Sequence, residues 1–238
     1  MLTRREFVGS SLAGLFQQPL YNVLFVPVDD LRPELACYGH PVVKSPNLDR
    51  LAREGLLFTR AYCQQAVCSP SRTSLLTGRR PDTTRVYNLQ VHFRKNLPDV
   101  VTLPEQFKRH GYVTSGFGKV FHGGGSPPGG LDDARSWTIP SYFPGGPEWD
   151  TPENAAIVEK HARDLKEAGW VWPPKGAQGS SPKKVPSWSA PDCADEDQPD
   201  GKIAQSVIKA LRKYGDKPFF FGMGLLKPHL PFVAPRKY

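Results

Sequence analysis

The apolar run Asn22-Val23-Leu24-Phe25-Val26-Pro27-Val28, stopped by Asp29-Asp30, constrains the fold of this chain more than any other segment. A short, nearly continuous apolar run reads as a strand buried on both faces, the kind found in parallel sheets covered by helices. In open α/β sheets ligands bind beyond the carboxyl ends of such strands, which is where the two carboxylates stand. Adjacent carboxylates on a loop suit a hard cation, because calcium and magnesium take oxygen ligands. Taken alone, they equally suit the start of a solvated turn. Pro27 removes a ladder donor, so the strand is expected to be irregular at that point.

Helix and strand signals then alternate. Ser45-Pro46-Asn47 supplies a cap and a first-turn proline, and Gly55 ends that helix. Residues 56–62 read as a strand. Thr102-Leu103-Pro104-Glu105 has the form of a capping box for a helix that stops at Gly111, and residues 112–118 read as the next strand. Ile203, Val207, Ile208 and Leu211 mark a helix face ahead of a strand over 219–224. This order predicts an α/β fold, with a largely parallel (mixed) sheet and helices on both faces. Residues 123–152 and 172–199, rich in Gly, Pro, Ser and Trp, read as long loops on either side of a helix over 153–168. Trp170, Trp172 and Trp188 can serve there in stacking on sugar rings or in covering the core.

Cys68-Ser69-Pro70-Ser71-Arg72 runs directly into Thr73-Ser74-Leu75-Leu76-Thr77-Gly78. Proline is tolerated in a first turn and glycine suits a C-terminal stop, so this stretch predicts a loop turning into a short helix with position 68 at its N-terminus. Free N–H groups and the positive end of the dipole hold an anion such as sulfate or phosphate at that place. Arg72, one turn on, carries a planar fork of donors that matches a tetrahedral oxyanion and stays charged. A buried structural cysteine followed by a surface arginine is the plainer reading of such a pair, and the length of the matching string argues against it.

That string resembles the C-x-P-x-R nucleophile segment of the type I, formylglycine-dependent sulfatases of the alkaline phosphatase superfamily. Asp29-Asp30, Gly118-Lys119-Val120-Phe121-His122 and Lys227-Pro228-His229-Leu230-Pro231 resemble the family's D-D, G-K-x-x-H and K-P-H-x-P segments in the same order. Residues 77–85 and 118–122 look most like the iduronate-2-sulfatases and their bacterial relatives. The resemblance implies catalytic roles for Cys68, Arg72, Lys119, His122 and His229, and metal ligation of one Ca2+ by Asp29, Asp30 and residue 68. It further implies oxidation of Cys68 to formylglycine by a maturation enzyme, and a sulfated saccharide as substrate. Histidine near the departing ester oxygen suits proton donation, and lysine suits neutralising charge on the sulfate. Family chains continue well beyond this length, with a second metal pair and a further lysine in the later portion, so residues 21–238 read as the N-terminal part of a sulfatase domain. Two alternatives stay open: a phosphate or phosphonate monoester hydrolase of the same superfamily, and a non-catalytic incomplete sulfatase.

A net charge of +8 suits an acidic partner such as a sulfated polysaccharide, whereas no motif with clustered basic residues and stacking aromatics supports nucleic acid. Four cysteines, Cys37, Cys63, Cys68 and Cys193, show neither C-x-x-C nor zinc-like spacing, and at most one disulfide is left among them once Cys68 is modified. No apolar stretch has the length of a membrane span. Thr3-Arg4-Arg5-Glu6-Phe7 and the mildly apolar residues 8–16 resemble a twin-arginine export signal, which predicts a bacterial protein exported to the periplasm or beyond.

Overall fold

The computed structural model describes residues 21–122, 132–144, 152–167, 169 and 187–238. The export signal expected over 1–20, Trp170, Trp172 and much of both long loops lie outside the described residues. Three parallel strands form the central sheet in the order β1 (Val23–Phe25), β4 (Phe219–Gly224), β2 (Val113–Gly118). Between them come α1 (Pro46–Glu54), α2 (Cys68–Thr77), α3 (Pro81–Thr84), α4 (Leu103–Arg109), α5 (Pro152–Glu167) and α6 (Pro199–Tyr214). A small parallel pair, β3 (Trp188–Ser189) with β5 (Phe232–Val233), stands apart from the sheet.

Strand alternation sends the three phenylalanines of β4 to opposite faces. Phe220 stacks on Phe107 of α4 at 4.8 Å and on Phe25 of β1 at 6.1 Å. Phe219 and Phe221 pack on the other face with Ile203, Val207 and Ala210 of α6. Helices therefore cover both faces, and each fully buried Phe contributes about 1.5–3 kcal/mol of burial free energy. Ile208, expected on the inner face of α6, is turned partly to solvent.

Two expectations are corrected. Among the described residues the strand buried on both faces is β4, whereas β1 lies at the edge of the sheet, with Leu24 45% and the following Val26 43% exposed. Regular pairing of β1 ends at Phe25, before Pro27, and resumes only as a bridge from Val28 to Leu225. Residues 56–62 form no strand: among the described residues no neighbouring strand accepts their ladder bonds, and Leu56, Phe58 and Tyr62 are exposed.

Local signals set the helix ends. The Thr102 hydroxyl accepts the Glu105 N–H at 3.2 Å, giving half of the capping box. The Glu105 carboxylate instead accepts from Arg94 at 2.9 Å and from Arg109 at 2.7 Å. α2 closes on Gly78 in the left-handed region at φ 65°, which costs glycine no Cβ clash.

Glycines pair across β2 and β4, Gly116 with Gly222 and Gly118 with Gly224. The chain leaves β2 through Gly118 at φ 73°, and the Lys119 N–H bonds the Gly224 carbonyl at 2.8 Å. A Cβ on Gly224 would run into the backbone of Lys119 and Val120. Small residues here let the strand end fold over β4 and deliver Lys119 to the carboxyl pole of the sheet.

Candidate active site

Four chain segments meet at that pole: the loop after β1, the N-terminus of α2, the turn after β2 and the loop after β4. Asp29 is 4% exposed, and both its oxygens are engaged. Arg72 donates from Nη2 to Asp29 Oδ1 at 2.9 Å, and Lys119 Nζ donates to Oδ2. Burial pushes the Asp29 carboxyl up, but hydrogen bonds from Lys119 and Arg72 outweigh it and hold the group below its usual range. Arg72 also donates from Nη1 to the carbonyls of Lys119 and, at 3.0 Å, Val120. Its fork, read from sequence as facing an anion, is committed to orienting Asp29 and the turn after β2.

Position 68 opens α2 and is half-buried. Burial raises the Cys68 thiol pKa, with Lys119 and Arg72 pulling it down and Asp29 and Asp30 pushing it up. Among the described residues no two cysteines form a disulfide. One ligand atom each from Asp29, Cys68 and His229 lies within 4.8 Å of the others. His229 comes from the loop after β4. Its Nδ1–H donates to the Leu230 carbonyl at 2.6 Å, and Nε2 lies 3.8 Å from Asp30 Oδ2. Asp30 itself is exposed and takes a left-handed φ of 57°. Lys227 turns its ammonium back onto the carbonyls of His229 at 3.2 Å and Pro231 at 2.7 Å.

His122 has its Nδ1 buried without a hydrogen-bond partner among the described residues. Burial, followed by the charges of Lys119 and Arg72, lowers its pKa to about 4, so the ring is neutral at pH 7. Sequence reading missed Asp200, which accepts the N–H groups of Leu226 at 2.7 Å and Lys227 at 2.9 Å. Its local context, Gln198-Pro199-Asp200, reads only as an ordinary helix start.

The donor chemistry fits a hard cation in part. Asp29 and Asp30 offer carboxylate oxygens at one turn, but a calcium ion takes roughly six to eight oxygens, more than this cluster holds. In this structure Arg72 and Lys119 supply the positive charge beside Asp29.

A parallel α/β sheet with a basic, anion-ready helix N-terminus at its carboxyl pole defines an anion-binding class of site. Residues 21–238 match the Sulfatase family model, and the chain belongs to that family. It is 39% identical over 235 residues to human iduronate 2-sulfatase, covering 97% of this chain and 39% of that protein. A sulfatase of Formosa agariphila is 30% identical over 224 residues, with 91% of this chain and 41% of that one covered. The chain thus spans well under half the length of these curated relatives. Among solved structures, the phosphonate monoester hydrolase of Agrobacterium radiobacter superposes with a TM-score of 0.59 at 28% identity, over 90% of this chain and 42% of that one. A Pseudoalteromonas sp. sulfatase shares the fold, with a TM-score of 0.59 at 22% identity, over all of this chain and 53% of the other. Among the described residues no helix is long and apolar enough to cross a membrane.

Proposed function

We propose that this chain carries the nucleophile pole of an exported, iduronate-2-sulfatase-like enzyme that hydrolyses sulfate esters of a sulfated carbohydrate. The observation that carries the reading is the meeting of Asp29, Cys68, Lys119 and His229 at the N-terminus of α2. Iduronate 2-sulfatase relatives and the net charge of +8 support a sulfated saccharide as substrate.

Formylglycine made from Cys68 by a maturation enzyme would supply a hydrated aldehyde, a nucleophile that attacks sulfur and can then expel sulfate to regenerate itself. A divalent cation, Ca2+ in this reading, held by Asp29, Asp30 and residue 68, would acidify that nucleophile. The remaining work falls to the side chains. Lys119 and the first-turn amides of α2 hold the sulfate and neutralise the charge that develops on it. Arg72 fixes Asp29 from below. His229, with Nδ1–H committed to a carbonyl, would pass a proton from Nε2 to the leaving alcohol oxygen as the imidazolium, in which both ring nitrogens carry a proton. His122, held neutral by burial and by the charges of Lys119 and Arg72, adds no further positive charge at pH 7.

The test compares matched aryl sulfate and aryl phosphate esters with the purified chain, with and without calcium, alongside the mass of the peptide bearing residue 68. Sulfate release that requires the aldehyde and disappears in Cys68→Ala is the expected result. No turnover of either ester by aldehyde-bearing protein overturns the reading. Faster phosphate turnover favours a phosphate or phosphonate monoesterase instead, the alternative supported by the likeness to the Agrobacterium radiobacter enzyme.

A further inference from the structure

The loop that carries His229 leaves the sheet at Leu225, whose N–H bonds the Pro27 carbonyl at 2.9 Å. Beyond that residue the loop is braced mainly within itself. His229 donates its N–H to the Leu226 carbonyl at 3.0 Å, and Lys227 Nζ reaches the carbonyls of His229 and Pro231. Such internal bonds fix the loop's shape without fixing where the loop sits.

A polar tie from the start of the loop to the rest of the protein runs through Asp200, in the first turn of α6. Its two oxygens accept two successive amides, Oδ1 from Leu226 at 2.7 Å and Oδ2 from Lys227 at 2.9 Å. Packing adds Leu226, partly buried against the cluster of α6 and β4. Cavities of about 230 Å3 and about 100 Å3 adjoin the contact and share Gln198, Pro199, Leu226, Lys227 and Val233 as walls. The smaller one reaches from Lys119 to His229. Hydrogen bonds with a carboxylate acceptor are shorter and stronger than neutral ones, so beside these cavities they fix the backbone position that the Leu226 contact alone leaves adjustable. α6 is in turn packed through Ile203 and Val207 against β4, the strand that leads into the same loop.

We propose that Asp200 is a positioning residue: by clamping the amides of Leu226 and Lys227 to α6, it holds His229 at the Asp29 and Cys68 cluster. The inference rests on the proposed function for its catalytic meaning, while the clamp itself is independent of any activity. The carboxylate is half-buried, and burial raises its pKa against the pull of the two amides and Lys227.

The test pairs amide hydrogen exchange with a kinetic cycle on the purified protein, using Asp200→Ala, Asp200→Asn, His229→Ala and the double variant D200A/H229A. The peptide spanning 225–231 is read against that spanning 219–224, which reports that β4 stays folded. Where D200A does not fold, D200N, which keeps one acceptor oxygen, carries the same comparison. Exchange at 225–231 is expected to accelerate about tenfold or more with 219–224 unchanged. On sulfate esters kcat is expected to fall roughly tenfold or more at similar KM, and this loss is expected to vanish in the His229→Ala background. Unchanged exchange overturns the proposal. So does a kcat loss that multiplies with that of His229→Ala, the result of general destabilisation. A wild type that cleaves no sulfate ester removes the proposed function alone, and the exchange comparison still judges the clamp.

Discussion

Replacing Asp29 by alanine removes the shared acceptor of two buried cations. The Arg72 and Lys119 side chains are 7% and 11% exposed, so neither regains full hydration when the carboxylate goes. Breaking a buried pair from one side costs about 3–5 kcal/mol, because the surviving charge is left uncompensated. Arg72 keeps the carbonyls of Lys119 and Val120 as acceptors, which places the loss near the lower end, about 3 kcal/mol. For a chain of this size each kcal/mol moves the melting temperature by about 2–4 °C, so Asp29→Ala is expected to melt about 6–12 °C lower. Asp29→Asn retains an acceptor oxygen and is expected to lose less. Circular dichroism melts in the presence of a chelator keep metal binding out of the comparison. An Asp29→Ala midpoint within about 2 °C of wild type would refute the argument that this triad holds the pole together.

Three further outcomes follow from the same geometry. His122 is expected to titrate by NMR with a midpoint of about 4; a midpoint near the ordinary histidine value of about 6.5 would show that burial and the Lys119 and Arg72 charges do not act on it. Because that folded pKa lies below the unfolded one, the unfolded chain binds the proton first, and this contribution to stability is lost as pH falls from about 6.5 to about 4. Arg94, which grips Asp133 at 2.6 Å and Glu105 at 2.9 Å, outweighs their burial and holds both carboxylates below their usual range. Their stabilisation is present above the unfolded carboxylate pKa of about 4 and is lost as pH falls through the folded values. Urea midpoints are therefore expected to drop below about pH 4 in wild type and to respond less in Arg94→Met, and equal slopes would count against the linkage. Gly224→Ala forces a Cβ against the Lys119 backbone and is expected to destabilise by about 1–3 kcal/mol, whereas an unchanged melt would mean that the turn after β2 yields freely.

The sequence by itself determined the alternation of the main helices and strands and the ends of several of them. Pro70 and Gly78 bound α2, and Thr102 caps α4, because cap bonds and φ restrictions act over a few residues and are written in them. Pro27 likewise foretold the early end of regular pairing in β1. Tertiary structure decided what lies beyond that range. An apolar run carries no record of its neighbours, so only the assembled sheet made β1 an edge, put β4 in the centre and left residues 56–62 unpaired. Asp29 and Asp30 are equivalent as letters, but the approach of Arg72 from 43 residues away and Lys119 from 90 buries one carboxylate and leaves the other exposed. Asp200 meets the Leu226 amide across 26 residues, through the packing of α6 on β4, and no local pattern announces such a contact. Short-range sterics are legible residue by residue, while the direction in which a charged side chain points is fixed by the segments the fold brings against it.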